Sequence, residues 1–146
     1  MSSQRWAAAT LVVLGLAAAG CNATTSASDA PQEKPAKVEA VQGKNVKSVT
    51  LTEQAMKRVG VETTTVTAAA TGTVVPYQAV LYTPDGNTWV YTVTAPRQYM
   101  REQVTIANVG GSAGSEAFLS SGPAAGTTIV KTGLIELYGT ELGVGK

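Results

Sequence analysis

The residue with the most distinctive chemistry in this chain is Cys21, the single cysteine among 146 residues. A thiol can be oxidised or acylated, and here it has no second cysteine with which to form a disulfide. Cys21 follows an apolar run, 6–19, which the basic residue Arg5 precedes. A basic start, an apolar run and small residues before a cleavage point are the three parts of a secretory signal peptide. We therefore expect 1–20 to be a signal peptide.

The stretch Ala18-Ala19-Gly20-Cys21 resembles the end of a bacterial lipoprotein signal. The resemblance implies that Cys21 carries fatty acids such as palmitate and becomes the new N-terminus. The mature protein is then expected outside the cytoplasm, in the cell envelope, tethered to a membrane. A transmembrane helix is disfavoured, because about fourteen apolar residues fall short of the roughly twenty that span a bilayer. The alternative is an ordinary signal peptide cut near Ala19, which leaves Cys21 as a free thiol.

The segment Gly110-Gly111-Ser112-Ala113-Gly114 spells the G-x-S-x-G pattern of a nucleophile elbow. Such a serine needs a general base, commonly histidine, to take its proton. The chain contains no histidine. We therefore interpret the segment as a Gly/Ser-rich turn between two strands, and we predict no catalytic residue and no enzyme activity.

Metal and cofactor chemistry receives equally little support from the residue types. Met56 and Met100 are possible soft-metal ligands, but with no cysteine or histidine nearby they are more typical of core filling. We expect no metal site and no cofactor. Formal net charge is +1, from eleven Lys/Arg and ten Asp/Glu without a basic cluster, which argues against nucleic acid as a partner.

The segment after the cysteine is composed of small, polar and charged residues with almost no large apolar side chain. Such a composition cannot bury enough surface to offset the entropy of ordering the chain. We predict that 21–45 is a disordered tether and that 46–146 is one small folded domain.

Order is predicted to begin with a strand at 46–51, rich in β-branched residues. Thr52 is a suitable N-cap for a short helix, 53–59, and Gly60 is a suitable stop. The segment 83–87 carries strong turn residues and predicts a hairpin. Further strands are predicted at 61–67, 77–82, 88–94, 100–106, 116–119, 127–130 and 134–138.

Repeated short strands at hairpin spacing predict a mostly β fold: a small antiparallel β-barrel, β-roll or sandwich with one short helix. Aromatic residues in these strands are more often core than surface. Trp89, Tyr91, Tyr99 and Tyr77 are the candidates, and the alternative is that they form an exposed docking patch.

A series of short stretches along the domain carries a resemblance to a known family. In chain order they are Val49-Thr50-Leu51-Thr52, Gly60-Val61, Val75-Pro76, Asp85-Gly86, Trp89-Val90-Tyr91, Arg101 with Val104, Leu119-Ser120-Ser121-Gly122, Ile129-Val130, Glu136-Leu137-Tyr138-Gly139 and Glu141-Leu142-Gly143. Their shared order resembles the C-terminal, membrane-proximal β-barrel region of the periplasmic adaptor subunits, or membrane fusion proteins, of tripartite efflux systems. A full adaptor also has lipoyl-like halves and a long helical hairpin, whereas here Ala68 to Gly72 occupies their place.

The resemblance implies a lipid-anchored module that docks on an efflux transporter of the resistance-nodulation-division type or on another adaptor. The alternative function is that of an envelope lipoprotein that binds a small ligand and has no connection to efflux. Neither hypothesis requires a catalytic group. They differ in whether the recognised partner is a protein surface or a small molecule.

Overall fold

The computed structural model describes residues 33–144, and most of these residues lie in antiparallel strands or in the turns between them. The strands are β1 Ala36–Ala40, β2 Lys47–Leu51, β3 Glu62–Thr65, β4 Thr67–Ala68, β5 Thr73–Pro76, β6 Leu81–Tyr82, β7 Thr88–Ala95, β8 Gln98–Gly110, β9 Glu116–Ser121 and β10 Thr128–Thr132. The helices are α1 Glu53–Val59 and α2 Leu134–Leu142, and short 3-10 turns lie at Tyr77–Ala79 and Ser112–Gly114. The prediction of a mostly β domain is confirmed.

The ten strands form one sheet, whose main path has the order β3-β10-β7-β8-β9-β5-β4, and β6 pairs with β7 beside this path. The two end strands, β3 and β4, are joined in the chain by the single residue Val66, so the sheet curls into a nearly closed barrel. The long strand β8 makes this possible, because its first half pairs with β7 and its second half with β9, with register shifts between Thr105 and Asn108. Such irregularities let a strand bend from one part of a sheet into another. The hairpin β1–β2 adds to the outer edge of β8 at its start.

The sheet has an apolar cluster on each face. The barrel interior is filled by Val66, Val75, Ala79, Val90, Val104, Ala117, Leu119 and Ile129. The second cluster lies between the sheet and the helices, and consists of Val49, Leu51, Ala55, Leu81, Tyr91, Tyr99, Val130, Leu134 and Leu137. Neighbouring residues of β7 and of β10 belong to different clusters, since successive side chains of a strand point to opposite faces. The central strands are therefore buried on both sides.

Helix α1 has the ends that the sequence predicts. The Thr52 hydroxyl accepts a hydrogen bond from the Ala55 backbone N–H at 3.2 Å. Gly60 adopts a left-handed conformation with φ of 69° and its N–H bonds back to the last turn. This N-cap and C-cap satisfy backbone groups that a seven-residue helix otherwise leaves unpaired.

The predicted strand at 134–138 is wrong, because these residues begin helix α2. Leu134, Leu137 and Glu141 are buried, at a spacing that puts them on one helical face. The helix lies between two left-handed glycines, Gly133 and Gly143. Gly139 inside it lowers helix propensity, and the short, mainly apolar run 134–138 resembles a buried strand when read alone. The domain therefore has two helices, and not the single short one predicted.

The predicted tether at 21–45 is wrong over its last third. Strand β1 lies within it and pairs with β2 in a register that runs from Ala36 opposite Leu51 to Ala40 opposite Lys47. Ala36 and Val38 pack against the helix-side core. Pairing with a neighbouring strand supplies the burial that the local composition lacks. The predicted signal peptide, Cys21 and the first part of the tether lie outside the described residues.

The turn between β6 and β7 gives a stability prediction. Gly86 has φ of +80°, and a Cβ added there meets nothing within 4 Å, so a substitution is opposed by backbone conformation alone. We expect Gly86→Val to lower the free energy of unfolding by about 1–2 kcal/mol, because left-handed backbone is costly for a β-branched residue. Gly139→Ala is the matched control: it also has open space but lies within α2, where alanine should stabilise by about 1 kcal/mol. Urea unfolding measures both, and a Gly86→Val protein as stable as wild type contradicts the assigned turn.

Candidate functional site

The most unusual side chain in the described structure is Glu141, an acidic residue of α2 that is only 2% exposed. Its Oε2 accepts a hydrogen bond from the Tyr91 hydroxyl at 2.7 Å. The Arg101 Nε lies 2.9 Å from both carboxylate oxygens, and the backbone N–H of Lys47 donates to Oε1 at 3.1 Å. A buried carboxylate is tolerated when it is paired and its lone pairs are used in this way. The group Glu141, Arg101, Tyr91 and Lys47 is called the carboxylate node below.

Arg101 is held on its other sides by aromatic rings. Its guanidinium carbon lies 4.6 Å from the ring centre of Trp89 and 5.3 Å from that of Tyr138. A guanidinium so placed is attracted by the negative faces of the rings. The indole N–H of Trp89 in turn donates to the Thr83 hydroxyl at 3.1 Å, which links the node to the β6–β7 turn.

The β6–β7 turn is itself closed by side chains. The Thr83 hydroxyl donates to the Asp85 carboxylate, and the Asn87 side-chain amide donates to the same carboxylate at 2.6 Å. These hydrogen bonds favour the ionised form and lower the pKa of Asp85, with the Thr83 bond the larger cause. The turn residues that the sequence singled out thus connect, through Thr83 and Trp89, to the buried carboxylate of the last helix.

The carboxylate node is built for positioning. Each Glu141 oxygen already accepts hydrogen bonds from groups fixed on β2, β7 or β8, so the carboxylate has no free direction for a substrate proton. Burial and the bond to Glu141 raise the pKa of Tyr91 far above its ordinary value of 10.0, which keeps the phenol neutral. Among the described residues, the node lines neither the cleft beside Tyr77 nor the cleft beside Tyr82.

An exposed pair of tyrosines lies between those clefts. Tyr77 is 38% exposed and Tyr82 is 53% exposed. The Tyr82 hydroxyl donates to the Tyr77 hydroxyl at 3.0 Å, and the ring centres are 6.2 Å apart. We call this pair the tyrosine ridge. Because Leu81 faces the helix-side core, the alternation along β6 directs Tyr82 to the opposite face of the sheet.

Tyr77 lines the larger cleft, of about 590 Å³, and Tyr82 lines the smaller one, of about 400 Å³. The larger cleft is lined by residues of β3, β4 and β5, at the seam where the two ends of the sheet meet without completing the barrel. Pro76 faces this seam and has no N–H with which to extend a ladder. The side chains around this seam cleft are mainly polar and include Thr64, Thr65, Thr67, Gln78, Glu116 and Lys131.

The residues singled out from the sequence fall in different places. Tyr91 and Tyr99 are core residues, Trp89 packs against that core, and Tyr77 is exposed. Tyr82, which completes the ridge, was not among the candidates. Tyr82 is exposed because it alternates with Leu81 along β6. That strand has only two residues, so the alternation is too short to be recognised from the sequence alone.

The residues considered for catalysis and for metal binding do not form one site in the described structure. Ser112 lies in the 3-10 turn between β8 and β9, as the turn interpretation predicts. Met56 packs on the helix-side core, whereas Met100 alternates with Tyr99 and faces the other side of the sheet. Within residues 33–144, three or more acidic, histidine or cysteine side chains nowhere group as a metal site would require. Cys21 lies outside the described residues.

No protein-family model, curated protein or solved structure matches the chain. The resemblance to efflux adaptors therefore stands on the sequence stretches quoted above. Neither helix of the described region is long and apolar enough to cross a membrane.

Tyr91 gives a pH prediction. In the unfolded chain a tyrosine loses its proton near pH 10, whereas the folded protein keeps the Tyr91 phenol neutral. Above that pH the unfolded state therefore binds fewer protons, and stability falls by up to about 1.4 kcal/mol per pH unit from this group. We expect the fall to be shallower in Tyr91→Phe, which has no phenol to lose its proton in the unfolded chain. Urea unfolding at a series of alkaline pH values measures the slopes, and identical slopes for wild type and Tyr91→Phe overturn the assignment.

Proposed function

We propose that this protein is a lipid-anchored, non-enzymatic module of the cell envelope that docks on an efflux transporter assembly. The observation that carries the proposal is the tyrosine ridge, an exposed aromatic pair with a cleft on each side. The order of family-like stretches supplies the class of partner, a transporter or another adaptor. Cys21 supplies the anchor.

Tyrosine suits such a surface for physical reasons. Its ring contributes a large apolar contact area and its hydroxyl still forms hydrogen bonds, which explains its enrichment at binding hot spots. The ridge is also preorganised. The Tyr77 backbone N–H donates to the Ser115 carbonyl at 2.8 Å, and the Val80 N–H closes the 3-10 turn onto Tyr77 at 3.1 Å. A rigid anchor loses little conformational entropy when a partner binds.

The two clefts beside the ridge provide places for partner side chains. The seam cleft carries hydroxyl groups together with one acidic and one basic residue, Glu116 and Lys131. Polar groups around an aromatic centre form the usual rim of an interface and fix its register. Lys131 is already paired with Glu62 at 3.4 Å, so we expect its charge to contribute to orientation more than to affinity.

The lipid anchor changes how strong the contact needs to be. A membrane-tethered module meets a membrane-embedded partner at a high effective concentration, so a weak ridge contact is sufficient for occupancy. Loss of the tether removes this advantage without altering the ridge. Anchor and ridge are therefore separable by mutation.

The seam cleft also favours a second candidate function, the binding of a small envelope ligand. Its volume of about 590 Å³ lies within the range of small-molecule sites, roughly 300–1,000 Å³. Threonine hydroxyls beside the Tyr77 ring suit a hydroxyl-rich compound. The ligand would occupy the seam and not the barrel lumen, because the lumen is filled by the apolar side chains of the barrel core.

In-cell photo-crosslinking tests the docking proposal. A photoreactive aromatic amino acid at Tyr82 should capture a transporter or adaptor component, identified by mass spectrometry, and the same probe at the exposed α1 residue Arg58 should not. We expect Cys21→Ser to abolish incorporation of a labelled fatty acid and to reduce the Tyr82 crosslink, because the local concentration falls.

Each result bears on a separate part of the proposal. Equal fatty-acid labelling of wild type and Cys21→Ser removes the anchor. Crosslinks at Tyr82 that contain no efflux component, together with binding of an envelope metabolite that Tyr77→Ala weakens, replace docking by ligand capture.

A further inference from the structure

Helix α2 carries exposed apolar side chains beside its buried face. Leu134 and Leu137 are buried, whereas Ile135 is 68% exposed and Leu142 is 55% exposed. Ile135 and Leu142 are seven residues apart, so they lie two turns apart on one face. Val144, 74% exposed, follows the end of the helix. We call Ile135, Leu142 and Val144 the outer helix face.

Basic side chains lie at the C-terminal end of this face. The Lys47 ammonium is 3.4 Å from the backbone carbonyl of Glu141, next to Leu142 in the chain. Lys44 is exposed in the turn that joins β1 to β2. Lys37 is already paired with Glu39 at 2.9 Å, and Glu136 lies at the other end of the helix, so the excess positive charge is at the Leu142 end.

The strand that begins the domain lies beside the outer helix face, and this favours one occupant. Helix α2 packs against β1 and β2. Strand β1 begins about fifteen residues after Cys21. Even fully extended, that length of chain spans roughly 50 Å. A lipid on Cys21, as proposed above, would be joined to the domain through this strand, which lies beside α2.

We infer that the outer helix face, with Lys44 and Lys47, rests on the headgroup region of an anionic membrane. Aliphatic side chains beside lysines match the chemistry of that interface, in which apolar groups enter the acyl boundary and ammonium groups meet lipid phosphates. The inference rests on the proposed lipid anchor. It sets the orientation of the domain, since the tyrosine ridge lies on the opposite face of the sheet and is then directed away from the lipid.

The test uses the full chain, processed in cells and reconstituted into vesicles of phosphatidylcholine with phosphatidylglycerol. An introduced cysteine at Leu142→Cys carries an environment-sensitive fluorophore, and Val109→Cys, 48% exposed on the β9-paired half of β8, is the matched control. We expect a blue-shifted emission that a headgroup-depth lipid quencher reduces for the Leu142→Cys label only. Replacing the anionic lipid by phosphatidylcholine, or adding Lys44→Glu, should weaken the response, by roughly fivefold in partitioning for each lost lysine contact.

The protein without an added cysteine distinguishes a missing lipid anchor from a failure of this inference, because Cys21 is its single cysteine. Labelling of that protein shows a free thiol at Cys21 and contradicts the anchor. The inference is then tested by adding the unanchored Cys21→Ser chain, labelled through Leu142→Cys, to the same vesicles. An anchored protein whose Leu142→Cys and Val109→Cys labels respond alike overturns the inference. The inference is also overturned if the Leu142→Cys response increases with the amount of protein per vesicle and does not depend on anionic lipid. In that case a second copy of the chain covers the face.

Discussion

The buried carboxylate of Glu141 is the interaction on which the arrangement of the domain depends. A nine-residue helix is marginal by itself, and α2 has a glycine in its middle. Its position is set by hydrogen bonds from Tyr91 on β7, Arg101 on β8 and the backbone of Lys47 on β2. Removing one partner of such a buried pair is expected to cost about 3–5 kcal/mol, because the remaining charge is left uncompensated. The node therefore ties three strands and the last helix into one arrangement.

This arrangement gives the molecule two unlike sides. The sheet buries β7 and β10 on both faces, with the barrel core on one side and the helix-side core on the other. Helix α2 and the β1–β2 hairpin cover the helix side and present aliphatic and basic groups. The tyrosine ridge and the seam cleft lie on the barrel side. In the function that we propose, the first side meets lipid and the second meets the partner, and the carboxylate node keeps the two in a fixed relation.

Local signals predicted the parts of the fold that depend on neighbouring residues. Helix α1 followed from a cap and a glycine stop, and the β6–β7 turn followed from its Asp-Gly pair. The errors lie where distant residues decide: β1 is a strand because β2 pairs with it, and 134–138 is helical because Leu134 and Leu137 pack on the helix-side core. The partners of Glu141 lie 94, 50 and 40 residues away in the sequence. No local pattern could show that this glutamate is buried, or that Tyr82 joins Tyr77 in a ridge.

Hydrogen–deuterium exchange on Glu141→Gln, compared with wild type, tests most directly whether the carboxylate node holds α2. The substitution keeps the side-chain size but removes the negative charge that Arg101 faces. The account predicts that amides of α2 and of the β1–β2 hairpin lose protection first, while β5 and β9 in the barrel keep theirs. Unchanged protection of α2, or an equal loss across barrel and helix, would contradict it.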